Sequence, residues 1–154
     1  MKKVLVAIDY NPSAEKVAKK GLELAIAMNA EALLLHVISD LNYYITDRYD
    51  PIMGFDGFMN QEYLLENPVQ NLNQESENYL KSIKKHLKNE SIKTVTLEGD
   101  AADSIIEYVE KEKIDYIVMG SHSKGFLEDI FMGSVTQKVL HHSTIPLLIV
   151  STKK

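Results

Sequence analysis

The chain has 154 residues, 45% of them hydrophobic and 25% charged, which is typical of one globular domain with a substantial core. A formal net charge of −5 argues against non-specific binding to nucleic acid or anionic membranes, and the absence of cysteine excludes disulfides and thiolate chemistry. No apolar run has the length of a membrane span, and the N-terminal run is too short for a signal peptide, so we expect a cytoplasmic protein without a membrane partner.

The first two strands are predicted from continuously apolar runs. Residues 4–8 and 32–38 both lack polar alternation, which indicates strands that are buried on both faces of a sheet. Between them, apolar residues recur at helical spacing. Asn11 is expected to cap this helix, with Pro12 at its first position.

The middle of the chain is less regular. An aromatic-rich insertion covers about 39–67 and could form a lid, a partner surface or an irregular cover over the sheet. A long polar helix is predicted over about 69–89, followed by an alternating strand over 92–97 that suits a sheet edge. Asp100 then has the residue type and position of a helix cap.

The last third predicts a strand over 114–119, a helix over 134–142 and a strand over 146–150. Strands that alternate with helices imply right-handed crossovers and a parallel sheet. We therefore predict a single α/β domain over 1–154. Its fold would be a doubly wound, Rossmann-like, five-stranded parallel sheet in the order 3-2-1-4-5, with helices on both faces.

This strand order predicts where a ligand binds. In open parallel sheets, ligands lie beyond the carboxyl ends of the strands, where the winding reverses, which here is between the first and fourth strands. The first strand ends at Asp9 and the fourth at Gly120. Asp9 could accept hydrogen bonds from ribose hydroxyls or help to hold a metal, or it could be an ordinary turn residue.

The segment from Gly120 to Ser134 contains glycines, hydroxyls and a lysine between a strand and a helix, which is a composition suited to phosphate. Each residue also has an ordinary interpretation. Lys124 could simply be solvated, and His122 could be a spectator. The pair Gly133-Ser134, taken with Gln137, fits a Ser-x-x-Gln capping box, so in isolation we expect Ser134 to act as a cap; the alternative is that its hydroxyl and the first helical N–H groups hold a phosphate.

Six sequence segments form a specific combination: Val6-Ala-Ile-Asp9 with Pro12-Ser13, Leu34-Leu-His-Val37, Gly99-Asp100, Asp115 to His122, Gly133 to Leu140, and Ile145 to Val150. Together they resemble the universal stress protein family over nearly the whole chain. In the ATP-binding branch of that family the loop reads G-x-x-G-x9-G-[ST]. The present chain matches this spacing, with Ser123 in place of the second glycine.

The resemblance implies roles for individual residues. Asp9 would lie on the ribose side, the backbone of Val37 against adenine, and the Gly99 turn near the base. The backbone and hydroxyls of residues 121–125 and 133–135 would hold the phosphates; the named members of this set are Ser121, His122, Ser123, Lys124, Gly133, Ser134 and Val135. If the family glycine has positive φ, serine at position 123 costs about 1–2 kcal/mol and weakens binding by roughly tenfold.

The resemblance predicts a stress-response module that binds ATP, ADP or AMP, with Mg²⁺ as a possible companion. Hydrolysis is expected to be slow at most, because no residue is evident as a base for activating water. The alternative is a nucleotide-free dimeric interaction module with a degenerate pocket. In either case the apolar last strand at a sheet edge, Leu147, Leu148, Ile149 and Val150, predicts a homodimer.

Overall fold

The computed structural model describes residues 1–39, 68–121 and 132–152. Most of the predicted insertion at 39–67 lies outside these residues, as do His122, Ser123 and Lys124. The helices and strands that the structure describes are β1 (Lys3–Ala7), α1 (Ala14–Ala27), β2 (Glu31–Ile38), α2 (Pro68–His86), β3 (Lys93–Glu98), α3 (Ala101–Glu112), β4 (Tyr116–Gly120), α4 (Ser134–His142) and β5 (Leu147–Val150).

The five strands form one parallel sheet in the order β3-β2-β1-β4-β5, which confirms the predicted topology. The central strand β1 lies between β2 and β4, and Val4, Leu5 and Val6 are almost fully buried. Continuous apolarity is therefore what this position requires, because both faces of β1 are covered. At the edge, β3 is partly exposed, as its more polar sequence predicts.

Two helices cover each face of the sheet. The helices α1 and α2 pack on one face, while α3 and α4 pack on the other. The first core cluster includes Val6, Ala18 and Leu80, and the second includes Leu5, Ile105 and Val139. Among the described residues, no helix combines the length and the apolarity that crossing a membrane requires.

A close contact between α1 and β1 depends on the absence of a side chain at Gly21. A Cβ atom at this position would lie 2.3 Å from Cγ2 of Val6, inside the van der Waals contact limit. Val6 cannot easily withdraw, because its β-branched side chain is stiff and is itself buried. Glycine thus lets α1 lie close to the central strand, and this packing fixes where the helix begins relative to the end of β1.

The predicted start of α1 was wrong by two residues. The helix begins at Ala14, and Ser13 rather than Asn11 is the residue before it. The Oδ1 atom of Asn11 accepts hydrogen bonds from the N–H of Ser13 at 3.0 Å and from its hydroxyl at 2.8 Å. Such a local turn competes with helix formation, so Asn11 and Pro12 form the connection from β1 instead of the first helical turn.

Candidate functional site

The winding of the sheet reverses between β1 and β4. These strands are neighbours, with Ala7 opposite Met119, but the helices that follow them pack on opposite faces of the sheet. In open parallel sheets a ligand cleft lies at such a reversal, beyond the carboxyl ends of the two strands. Asp9 lies on one side of this cleft and Gly120 on the other.

Asp9 is held at its backbone and at its side chain. Its carbonyl oxygen accepts a 2.6 Å hydrogen bond from the Tyr79 hydroxyl, and its Oδ1 atom accepts a 3.0 Å bond from the N–H of Asn11. Asp9 as a whole residue is exposed to solvent. Even so, the surrounding protein removes part of the hydration of the carboxyl, and this desolvation raises its pKa, while the Asn11 bond opposes the rise. The carboxylate retains further lone pairs for a ligand.

Ser121 and Gly133, which lie on either side of the connection between β4 and α4, are hydrogen-bonded to each other at the end of β4. The N–H of Ser121 donates to the carbonyl of Val150 at 2.9 Å, and the N–H of Gly133 donates to the carbonyl of Ser121 at 2.7 Å. The hydroxyl of Thr136 donates to the carbonyl of Gly120 at 3.0 Å, which ties the first turn of α4 to the end of β4. The N-terminus of α4 is therefore fixed at the cleft.

The predicted capping role of Ser134 was wrong. Gly133 is the residue before α4, Ser134 is the first helical residue and is exposed, and among the described residues no side chain caps this end. The first bond within the helix runs from the N–H of Gln137 to the carbonyl of Gly133 at 2.9 Å. The N–H groups of Ser134, Val135 and Thr136 precede it and have no acceptor inside the helix. These N–H groups thus point out of the helix end, as an anion site requires, and the exposed Ser134 lies beside them.

Val37 and Gly99 lie at the carboxyl ends of neighbouring strands. Val37 is paired with Leu97 of β3, and the N–H of Gly99 donates to the carbonyl of Ile38 at 3.1 Å. Gly99 has φ +129°, a backbone conformation that strongly favours glycine. This tight turn brings the chain from the edge strand to α3 beside the second strand.

The turn at Gly99 is followed by a capped helix. The Asp100 carboxylate accepts from the N–H of Asp103 at 2.9 Å, as its predicted role as a cap requires, and this bond is the main reason why its pKa is lowered. Lys138 of α4 contacts Asp103 at 2.9 Å and Asp100 at 3.3 Å. This exposed ion pair joins α3 to α4 on the side of the sheet that faces away from α1.

The structure places eight of the eleven predicted site residues at one end of the sheet. They are Asp9, Val37, Gly99, Gly120, Ser121, Gly133, Ser134 and Val135. The other three, His122, Ser123 and Lys124, lie outside the described residues. Within the part of the chain that the structure describes, no group of three or more His, Asp or Glu side chains could hold a metal ion.

Two contributors to this end of the sheet were missed from the sequence. Thr136 closes the first turn of α4 onto Gly120, and Tyr79 reaches Asp9 from α2. Thr136 carried a weak signal, since a hydroxyl in the first turn of a helix often bonds backbone. Tyr79 lies one turn after Ser76 on the buried face of a helix, but nothing in the local sequence identifies its partner 70 residues away.

Taken together, the fold and the cleft define an α/β protein of the doubly wound class. The sequence also matches the profile of the universal stress protein family over residues 1–151. The chain is 32% identical to universal stress protein MJ0577 of Methanocaldococcus jannaschii over 155 residues, which covers 99% of this chain and 96% of that protein. The chain belongs to the universal stress protein family.

Solved structures agree with this assignment. The structure of protein MJ0577 superposes with a TM-score of 0.72 at 30% identity, covering 99% of this chain and 97% of that one. A universal stress protein in complex with cAMP gives 0.62 at 18% identity, with 99% and 98% covered. One from Archaeoglobus fulgidus in complex with dAMP gives 0.58 at 17% identity, with 97% of each covered. At such identities the last two likenesses establish the fold alone.

Proposed function

We propose that this universal stress protein binds ATP, or ADP or AMP, in the cleft between Asp9 and the N-terminus of α4, and acts as a stress-response binding module. The observation that carries the proposal is the N-terminus of α4, which no described side chain caps, at the point where the winding reverses. Its first turn has no acidic residue, so the partial positive charge of the helix end meets no opposing side chain within that turn. Phosphate is the anion that a nucleotide would bring there.

The opposite side of the cleft suits the nucleoside. The Asp9 carboxylate uses one lone pair on Asn11, and the remaining ones could accept from ribose hydroxyls. The backbone near Val37 and the turn at Gly99 would then lie against the base. The two relatives whose structures contain cAMP and dAMP support an adenine nucleotide as the ligand, since both hold one in the same fold.

A metal would accompany the nucleotide and would need few protein ligands. Mg²⁺ usually keeps several waters and is held through phosphates and one or two carboxylates. Asp9 fits such a role, because its desolvated carboxylate gains from a cation. The proposed activity is binding and signalling in the cytoplasm, with hydrolysis that is slow at most.

Calorimetry with ATP and Mg²⁺ tests the proposal. We expect measurable heat of binding at millimolar ligand or below, and no heat at millimolar ATP would overturn it. From the loop motif alone, if its second glycine has positive φ, the Ser123→Gly variant should bind roughly tenfold more tightly, because serine bears a cost in that conformation which glycine does not. Ser91→Gly, the same change in the turn before β3, should leave binding unaltered.

The state of the purified protein separates this proposal from the nucleotide-free alternative. Protein isolated without added ligand should release an adenine nucleotide on heat denaturation. If the supernatant contains none and ATP also gives no heat, the chain is better described as an interaction module with a degenerate pocket.

We propose that two copies of the chain pair through Leu147, Leu148, Ile149 and Val150. Within the described residues β5 hydrogen-bonds to β4 alone, so its other edge is open. Leu148 of this strand is 42% exposed. An apolar open edge is a template for another strand. Sedimentation should show a dimer at micromolar concentration, and Leu148→Glu should produce monomers. A wild-type protein that sediments only as a monomer would exclude this interface.

A further inference from the structure

Three aromatic side chains are buried together beneath the nucleoside side of the cleft. The ring of Tyr10 lies 4.3 Å from that of His36 and 4.8 Å from that of Tyr79, and the His36 and Tyr79 rings are 6.1 Å apart. None of the three is more than 5% exposed. No ligand atom could reach these rings, so any role in binding must act through the residues that they hold.

Tyr79 holds Asp9. Its hydroxyl donates to the Asp9 carbonyl at 2.6 Å, and its ring is wholly buried, so no water can easily take over the bond. Burial raises the pKa of Tyr79, so the hydroxyl keeps its proton and remains a donor at any physiological pH. Because the carbonyl is fixed from α2 and Oδ1 is fixed by Asn11, the direction of the Asp9 side chain is determined.

The helix that carries Tyr79 is itself anchored to the sheet. Ser76, one turn earlier on the same face, is hydrogen-bonded to Nδ1 of His36 at 2.7 Å and to the hydroxyl of Thr96 at 3.0 Å. His36 belongs to β2 and Thr96 to β3. The helix α2 is therefore attached to three neighbouring strands through hydroxyl groups, at β1 by Tyr79 and at β2 and β3 by Ser76.

We propose that Tyr79 is a positioning residue that sets the Asp9 carboxylate for ribose hydroxyls and so gives the site its selectivity for the sugar. The inference rests on the proposed nucleotide binding and deepens it. Among the described residues, the Tyr79 hydroxyl bonds to Asp9, in the nucleoside half of the site. The phosphate half is built from Gly120, Ser121 and the start of α4, and α2 has no described hydrogen bond to those residues.

Calorimetry with three ligands distinguishes effects on the nucleoside half of the site from effects on the phosphate half. Wild-type protein should bind ATP about tenfold or more tightly than 2′,3′-dideoxy-ATP, the loss expected when a charged acceptor loses its donors. In Tyr79→Phe, which keeps the ring and removes the hydroxyl, this ratio should fall at least about threefold. Inorganic tripolyphosphate should bind both proteins equally, which a general loosening of the fold would not allow.

Two further variants serve as controls. Tyr108→Phe makes the same chemical change on α3, near Glu31 and Lys93 at the amino end of the sheet, and should keep the wild-type ratio. Tyr10→Phe removes a hydroxyl from the same buried cluster, leaves the bond from Tyr79 to Asp9 in place and should keep the ratio as well. This second variant retains the test even if Tyr79→Phe folds poorly, since a lost ratio in Tyr10→Phe contradicts the assignment to Tyr79.

The outcomes distinguish the two proposals. A Tyr79→Phe protein with the wild-type ratio overturns the positioning role and leaves nucleotide binding intact. Weaker tripolyphosphate binding in Tyr79→Phe also overturns it, because the effect would then not be confined to the sugar. If wild-type protein binds no nucleotide at all, both proposals fail.

Discussion

Lowering the pH from 6.5 to 4 should reduce the free energy of unfolding by about 3 kcal/mol through His36 alone. This imidazole is 2% exposed, lies 4.3 Å from the ring of Tyr10 and 6.1 Å from that of Tyr79, and is hydrogen-bonded to Ser76 through Nδ1. Burial lowers its pKa from the ordinary 6.5 to about 4, because the charged form would lose its hydration.

The direction of the effect follows from where protons bind. Between pH 6.5 and 4 the unfolded chain carries a proton on His36 and the folded chain does not, so unfolding takes up a proton. Stability due to this residue is therefore complete above pH 6.5, falls through the window, and stops falling below about pH 4, where both states are charged. The carboxyl of Asp9 acts in the opposite sense near the acid end, because its folded pKa is raised.

Urea unfolding at several pH values would measure this loss. His36→Asn should lower stability at neutral pH, since a ring is lost from the core, but should remove most of the decline between pH 6.5 and 4. His141→Asn, the same substitution at an exposed position, should keep the wild-type decline. An equal slope in the wild type and in His36→Asn would contradict a buried neutral imidazole. Asp9→Asn separates the opposing contribution.

The sheet could be predicted from the sequence because its signals are local. Apolar runs of strand length, separated by turn residues and helical spacing, suffice to number the strands, and the handedness of crossovers leaves few orders for them. Asp9 and Gly120 could be placed at the cleft for the same reason, since Asp9 lies two residues after β1 and Gly120 ends β4, and these two strands flank the reversal. The site therefore follows from topology before any side-chain contact is known.

The errors occurred where two local hydrogen-bonding patterns compete. Asn11 had the residue type of a helix cap, but its side chain forms a turn with Ser13, and the helix starts later. Ser134 and Gln137 had the spacing of a capping box, but Gly133 takes the cap position and Ser134 becomes helical. Sequence spacing does not decide such cases, because the backbone direction on entering the helix is set by tertiary contacts.

Long-range contacts explain the remaining omissions. The bond from Tyr79 to Asp9 joins α2 to the end of β1 across 70 residues, and the network of Ser76, His36 and Thr96 joins three elements. Taken alone, each of these residues is an ordinary polar group, buried in the case of Tyr79, Ser76 and His36. Their shared position below the cleft becomes visible only when β1, β2 and β3 lie side by side.

Substitution of Ser134 by aspartate should change stability and nucleotide binding in opposite directions. An acidic residue in the first turn of a helix stabilises it by about 0.3–1 kcal/mol, and α4 has none there. The same negative charge would lie beside the proposed phosphates. Two charges 4 Å apart repel by about 1 kcal/mol in water and about 4 kcal/mol near a protein surface, so ATP affinity should fall by roughly 100-fold.

The Ser134→Asp experiment is discriminating because it should raise the stability of the free protein while it lowers the affinity for ATP. Thermal unfolding of the free protein and calorimetry with ATP would be compared with Ser134→Asn, which is similar in size, uncharged and should bind within a few-fold of wild type. Adenosine, which lacks phosphate, should bind all three proteins alike. A more stable protein that still binds ATP normally would remove the phosphates from this helix end. Loss of ATP affinity with gained stability cannot arise from unfolding, so it would locate the anion at α4.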